Sequence, residues 1–551
     1  MSTAIPAVTS SGQPVLILKE GTSQTKGRDA QKNNIMAAKI ITEIVKSSLG
    51  PRGMDKMLVD GMGDVTITND GATILKELDI QHPAAKMMVE ISKTTDQEVG
   101  DGTTSAVILA GSLLEKAEEL ISKDVHPTII VDGYRKALVK ALKILANFSI
   151  KVKQSDRDWL IKIANTSMLT KLVGKESNFL SGIIVDALLQ VSEKDGEVYK
   201  VDLDDVKIEK KPGRSIKDTS IIQGIVIDKE VVHSGMPKSI KNGKIVLFNS
   251  ALEIEKPEFD AKINISDPNQ MKAFMDEENR LLKGMVEKVV NTGANILICQ
   301  KGIDDIAQHY LAKENILAVR RVKQSDMEKL AKATGGRIVA NIEEITKNDL
   351  GNAGLIEERT IEEDKWVFVE NAKNPKAVTL LIRGGTQRII DEAERSIHDA
   401  LSVVKDVIEK PEVVAGGGAP EAYISFELSK WSNKLSGREQ LAVKKFAEAL
   451  EAIPITLAEN AGLDPIDIKV ELKSAMNKGD TQSGIGVLEG GIRNMADLNV
   501  FEPTAVKEQI IKSATEVASM IIRIDDVIAS GKTSAPPGPP GGGGMGGMGG
   551  Y

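Results

Sequence analysis

The sequence predicts a multidomain protein of α and α/β modules, with mostly helical regions at both ends of the chain and an α/β module between them. A chain of 551 residues exceeds what one hydrophobic core usually serves, so about three or four domains are expected. Apolar residues recur at helical spacing over the first and last portions. In the middle, short β runs such as Lys244-Ile245-Val246-Leu247-Phe248 and Ala294-Asn295-Ile296-Leu297-Ile298 alternate with helical stretches.

Taken in chain order, the first thirty or so residues are polar with isolated glycines and read as disordered. From Asn34 to Leu49 the apolar spacing of Ala37, Ile40, Ile41, Ile44, Val45 and Leu49 predicts a helix, stopped by Gly50 and Pro51. Val65 and Ile67 alternate with Thr66 and Thr68 as a strand, and Asn69-Asp70-Gly71 turns into a helix over Ala72 to Leu78. Pro83 opens a helix that runs towards Val99, where Gly100-Asp101-Gly102 breaks it, and a strongly apolar helix starts at Thr103. Asp267 and Pro268 open a long amphipathic helix carried by Met271, Phe274, Met275, Leu282, Met285 and Val289. After Arg383-Gly384-Gly385 the chain is helical almost to Ser530, and the tail from Ser534 is rich in Pro, then Gly and Met.

Composition narrows the function classes. Aromatic residues are 3%, which excludes the stacking platforms of single-strand nucleic-acid binders, and a net charge of -8 argues against a polyanion footprint. Cys299 is the single cysteine, so no internal disulfide framework or cysteine metal cluster can form, which suits a reducing, cytoplasmic setting. The apolar run Val15-Leu16-Ile17-Leu18 is too short for a secretory signal, and no stretch has the length of a membrane span.

One hexapeptide carries the strongest chemical signal. Gly100-Asp101-Gly102-Thr103-Thr104-Ser105 sets backbone N–H groups, a positive helix-dipole end and three hydroxyls at one helix start, which is a cradle for phosphate. Asp101 adds the hard oxygen ligand that Mg²⁺ takes when it also binds phosphates. The bland alternative is an ordinary N-cap. Leu49-Gly50-Pro51-Arg52-Gly53 could bring backbone close to a ligand or could be helix punctuation. Asp70 could orient a water or simply hold a turn. In the helix after Gly385, Asp399 points away from the stripe of Ile390, Ala393, Ile397, Ala400, Leu401 and Val404, so by itself it passes as a solvated surface residue.

Other signatures fail. Gly531-Lys532-Thr533 lacks the upstream glycine of a P-loop, and no serine or cysteine nucleophile motif is apparent. The five histidines lack metal-ligand spacing, and Cys299, at the end of a β run, reads as a buried packing residue.

Taken jointly, LGPRGMDKML from Leu49, TITNDGATIL from Thr66, GDGTTS from Gly100, VVAGGGAPE from Val413 and the Gly-Met tail resemble the group II chaperonins, the class of the archaeal thermosome. The resemblance spans essentially the whole chain. It implies an ATP-hydrolysing chaperone that works with Mg²⁺. Leu49, Gly50 and Pro51 would line the nucleotide pocket, Asp101 would bind Mg²⁺, and Gly102, Thr103, Thr104 and Ser105 would hold phosphate oxygens. Gly417 and Glu502 fall where the family contacts the nucleoside, although many relatives carry Asp at the latter position. Asp70 and Asp399 match the carboxylates that position and activate the attacking water. Thr166, Ser167 and Lys171 resemble a nucleotide-sensing loop, with Lys171 near the γ-phosphate.

The same resemblance implies a chaperonin-like subunit in three parts. A mostly helical equatorial domain would comprise residues 1–153 and 411–533, an intermediate domain 154–223 and 374–410, and an α/β apical domain 224–373, followed by a flexible tail at 534–551. A helical protrusion around 251–283, worded EKPEFDAKI in part, would be a built-in lid, so no separate cap is expected. Identical or sister subunits would form a double ring that encloses non-native client proteins, with no nucleic acid and no membrane involved. Domain closure would bring Asp399 to Asp70 and Asp101. A nucleotide-regulated structural or filament-forming assembly is the alternative, and a small-molecule phosphotransferase is disfavoured because nothing resembles an acceptor pocket.

Overall fold

The computed structural model of the chain describes residues 6–8, 14–16, 23–196, 198–254, 268–372 and 376–529. Helices from both ends of the chain interleave into one apolar core. Gly27–Lys46 buries Ala30, Ile35, Ala38, Ile41 and Val45 and packs on Thr103–Ile121. Gly111 makes that approach possible, since a Cβ there would lie 2.0 Å from Thr42 Oγ1. Thr504–Ile522 packs on the same Thr103–Ile121 helix, which is buried on nearly every side.

The first helix begins earlier and ends earlier than its apolar spacing suggests, at Lys46 rather than Leu49. Its exposed carbonyls are taken by a distant side chain: Asn460 Nδ2 donates to Lys46 O at 3.0 Å and to Leu49 O at 2.9 Å. Long-range capping of this kind leaves no local sequence signal. The expectation of a disordered first thirty residues is also corrected for those that are described. Ser23–Lys26 pairs antiparallel with Asp526–Ala529, Thr25 opposite Val527, so the last described segment is a strand rather than helix. Pro6–Val8 pairs with Pro14–Leu16, and the tail from Ser534 lies outside the described residues.

The middle of the chain forms a mixed seven-stranded sheet. Its spatial order is Gly224–Ile227, Asp364–Ala372, Gly351–Ile361, Ser239–Phe248, Ile296–Cys299 and Leu317–Val319, with Ile338–Val339 also on Ser239–Phe248. The two predicted β runs are the parallel centre, Ile245 opposite Ile296. Every residue of Ile296–Cys299 is buried, as continuous apolar runs require when a sheet is covered on both faces. Cys299 is fully buried, as expected, and its thiol donates to Ser250 O at 3.1 Å.

The long amphipathic helix expected from Asp267 and Pro268 is present as Pro268–Asn291. Of its apolar residues only Leu282, Val286 and Val289 are buried, whereas Met271, Phe274 and Met275 are half-exposed. The stripe therefore joins the apolar core of the central module only in its C-terminal half, where it packs beside Asp305–Lys313. Pro257, Asp260 and Ile263, in the predicted protrusion, lie outside the described residues.

A three-stranded sheet links the central module to the helical core: Val206–Pro212 runs parallel to Val378–Gly384, which pairs on its other side with Ser220–Ile222. Lys207 is the polar rivet of this link. Its buried ammonium contacts Glu209 Oε1 and Asp326 Oδ1, each at 2.8 Å, and donates to Val226 O at 2.6 Å. A buried charge that loses its partner is expensive. Lys207→Ala, which strands two carboxylates, is expected to destabilise the fold by about 3–5 kcal/mol, and Lys207→Met with Asp326→Leu by clearly less. Chemical denaturation of the two variants beside the parent checks this; equal losses would show that the pair is not what holds the joint.

Candidate functional site

Two glycines shape the break between Pro83–Val99 and Thr103–Ile121. Gly100 and Gly102 sit in the left-handed region, at φ 65° and 78°, which a side chain disfavours. Gly102 is the N-cap of the second helix and has no side chain to cap with, so no side chain satisfies that helix start. Asp101 does not cap it either: its Oδ1 accepts from Gly102 N at 2.6 Å and its Oδ2 from Ser167 Oγ at 2.7 Å. The ordinary N-cap reading thus fails, and an open positive helix end faces the cleft beside a carboxylate.

Asp70 stands at the predicted strand-to-helix corner. Its Oδ2 accepts from Thr73 N and Thr73 Oγ1, both at 2.8 Å, while its Oδ1 accepts from Thr103 Oγ1 at 3.1 Å. Gly71 lets the corner approach, because a Cβ there would meet Thr104 Oγ1 at 2.5 Å. Asn69 Nδ2 donates to Thr170 O at 2.6 Å and so brings the Arg157–Leu169 helix end and Lys171 to the same place.

Asp399 is not the surface residue its helix position suggests. Gln387–Glu409 buries a second face made of Glu392, Ser396, Asp399, Ser402 and Val403, because helices press on it from more than one side. Asp399 forms a buried ion pair with Lys171. Burial drives its carboxyl well above the ordinary range; the Lys171 ammonium opposes that, and the charges of Asp70 and Asp101 add to it. Burial would discharge Lys171, but Asp399, Asp101 and Asp70 together outweigh it and hold the ammonium charged. Three carboxylates and one lysine are therefore in electrostatic contact, and Asp399 is already with them in this conformation.

The cleft has two lobes. A smaller one of about 70 Å³ is lined by Asn69, Asp70, Asp101 to Ser105 and Lys171. A larger one of about 240 Å³ shares Leu49, Gly50, Asp101, Gly102, Ser105 and Thr170 with it and continues past Pro51, Thr166, Ser167 and Gly417 to Glu502, with apolar walls from Ile453, Leu457, Ile485, Val487, Val500 and Phe501. Thr166 Oγ1 accepts from Phe501 N at 3.3 Å, tying the two walls together. Every residue singled out from the sequence borders one lobe or pairs with a residue that does, as Asp399 does through Lys171.

Sequence reasoning missed the floor of the larger lobe. Lys507, fully buried, contacts Glu502 Oε2 at 2.6 Å and Glu421 Oε1 at 2.9 Å. Burial raises the Glu502 carboxyl; Lys507 opposes this and Glu421 reinforces it. Glu421 belongs to the VVAGGGAPE segment and could have been found there, and Lys507 stands in helical phase with the apolar Ile510, Ile511, Ala514 and Ala518, a lysine on a buried stripe that marks it out.

The donor set fits a magnesium-bound triphosphate. Uncapped N–H groups and hydroxyls face the polar lobe, and the apolar lobe suits a base and ribose. Among the described residues no group of three or more His, Cys, Asp or Glu could hold a metal alone. A divalent ion here would need phosphate oxygens beside Asp101.

Residues 41–532 match the model of the TCP-1/cpn60 chaperonin family. The thermosome subunit alpha of Archaeoglobus fulgidus is 56% identical over 94% of this chain and 95% of its own. The thermosome subunit beta of Sulfurisphaera tokodaii is 55% identical over 98% of both chains, and the thermosome subunit of Pyrococcus horikoshii 56% over 95% of both. With the match running through both helical ends and the central module, the chain belongs to the TCP-1/cpn60 chaperonin family, as a group II chaperonin resembling the archaeal thermosome.

Proposed function

We propose that this chain is a subunit of an ATP-driven chaperone that encloses non-native proteins in a double ring of identical or sister subunits. The observation that carries the reading is the convergence of Asp70, Asp101, Lys171 and Asp399, from four separate stretches of chain, on an uncapped helix start.

Each residue has a role its contacts support. Leu49, Gly50, Pro51, Gly417 and Glu502 hold the nucleoside in the larger lobe, with Thr166 and Ser167 on its wall. Gly102, Thr103, Thr104 and Ser105 present N–H groups and hydroxyls to phosphate oxygens. Mg²⁺, held through Asp101, would neutralise charge on the phosphates. Thr73 and Thr103 fix the Asp70 carboxylate so that it orients water, and Asp399 accepts the proton as that water attacks the terminal phosphorus in line. Lys171 opposes protonation of Asp399 and lies where a terminal phosphate would compete for its ammonium.

In the same reading residues 1–153 and 411–533 act as the equatorial domain, 154–223 and 374–410 as the intermediate one and 224–373 as the apical one. The segment 251–283 serves as a built-in lid, so no separate cap is needed. The protein acts in the cytoplasm, and neither nucleic acid nor a membrane takes part. Asp399, delivered by the intermediate segment, links nucleotide state to ring closure.

Asp399→Ala is expected to lower ATP turnover at least 100-fold while nucleotide binding changes by less than about threefold, consistent with loss of a positioned base. The same variant should lose ATP-dependent recovery of a denatured test enzyme. Unaltered turnover would sink the assigned role, and recovery without nucleotide would favour a passive scaffold.

The raised Asp399 carboxyl also sets a pH dependence. Since only the ionised form accepts a proton, turnover should fall on acidification at a pH above the usual carboxylate range. Lys171→Met removes the opposing cation, so the acid limb of kcat should move to still higher pH at saturating ATP. A limb that stays put or moves down would contradict the pair.

A further inference from the structure

The helix that carries Asp399 meets the phosphate-side loop at one point. A Cβ on Gly100 would lie 2.2 Å from Ser402 Cβ and 2.5 Å from its Oγ, distances no pair of side chains tolerates. Ser402 is buried, and its hydroxyl is spent on its own helix, donating to His398 O at 3.0 Å. Its contact with Gly100 is therefore steric. Ser402 lies one turn beyond Asp399 on the same helical face, and Val403 beside it lines the larger lobe. Gly100 immediately precedes Asp101.

We infer that Ser402 is a positioning residue for hydrolysis: its small side chain, seated against Gly100, sets how deeply the Gln387–Glu409 helix enters the cleft and thus where the Asp399 carboxylate stands relative to Asp101. The inference rests on the reading that this cleft hydrolyses ATP. Larger groups at either side of the contact push the helix outward. Asp399 then withdraws from Asp70 and Asp101, while the nucleoside lobe, to which this helix contributes Val403 alone, keeps its other walls. The lever is short, so a displacement of about one ångström is enough to matter at a reacting centre.

The test uses the full assembled protein, with steady-state ATP turnover and ADP titration read on each variant. Ser402→Ala keeps the Cβ and should retain turnover within about twofold. Ser402→Leu should lower kcat at least tenfold with KM for ATP and ADP affinity within about threefold. Ser402→Val, a smaller enlargement, should lower kcat by less than Ser402→Leu, with ADP affinity again within about threefold. Full turnover in Ser402→Leu, or parallel loss of kcat and ADP affinity in both Ser402→Leu and Ser402→Val, would overturn the inference. Should the unaltered protein fail to hydrolyse ATP at all, the underlying reading falls instead; if Asp399→Ala is dead and Ser402→Leu is fully active, only the positioning role falls.

Discussion

The buried ion pair between Lys171 and Asp399 is the constraint on which the site depends. The two residues stand 228 positions apart, and each side chain is nearly closed to solvent. Neither charge is tolerable alone at that depth, because removing an ion from water costs several kcal/mol that only a well-placed partner repays. The pair therefore ties the Gln387–Glu409 helix to the segment after Arg157–Leu169. Asp70 and Asp101, close enough for their fields to bear on both partners, make the cluster net negative. Such an arrangement is poised for a cationic or metal-bound ligand and for proton uptake by the least stable carboxylate.

Glycines supply the other half of the construction. At Gly71, Gly100 and Gly111 the absent side chain is what allows a neighbouring element to touch, and each contact involves the Thr103–Ile121 helix or the loop before it. That helix is thus approached on several sides at backbone distance, which places its open N-terminus deep in the protein yet facing the cleft. The central module is held differently. Lys207 and its carboxylates fasten it to the three-stranded linking sheet through charge, and Thr379 adds hydrogen bonds to the same edge strand, accepting from Val226 N and donating to Gly224 O.

Local chemistry was enough to identify several elements and their chemical roles. Apolar spacing marked the helices at both ends, short apolar runs marked the parallel centre of the sheet, and Gly100 to Ser105 offered an anion site, with glycine, hydroxyl and carboxylate at one helix start, beside the plain N-cap that the same residues also allow. Boundaries were less legible where the partner is remote. Asn460 ends the first helix early, Asp526–Ala529 orders Ser23–Lys26, and the apolar residues at the start of Pro268–Asn291 find no core to join.

Asp399 and Lys507 mark the division most clearly. Their identities and helical phases are properties of the sequence; the phase of Asp399 points to water, whereas Lys507 falls on the apolar stripe of its helix with Ile511, Ala514 and Ala518. Burial is decided instead by which helices close over the second face of an amphipathic helix, a matter of tertiary contact between segments hundreds of residues apart. The sequence by itself determined which groups could bind and cleave; the tertiary structure alone decided which of them share one low-dielectric space, because proximity and desolvation do not exist until the chain has folded.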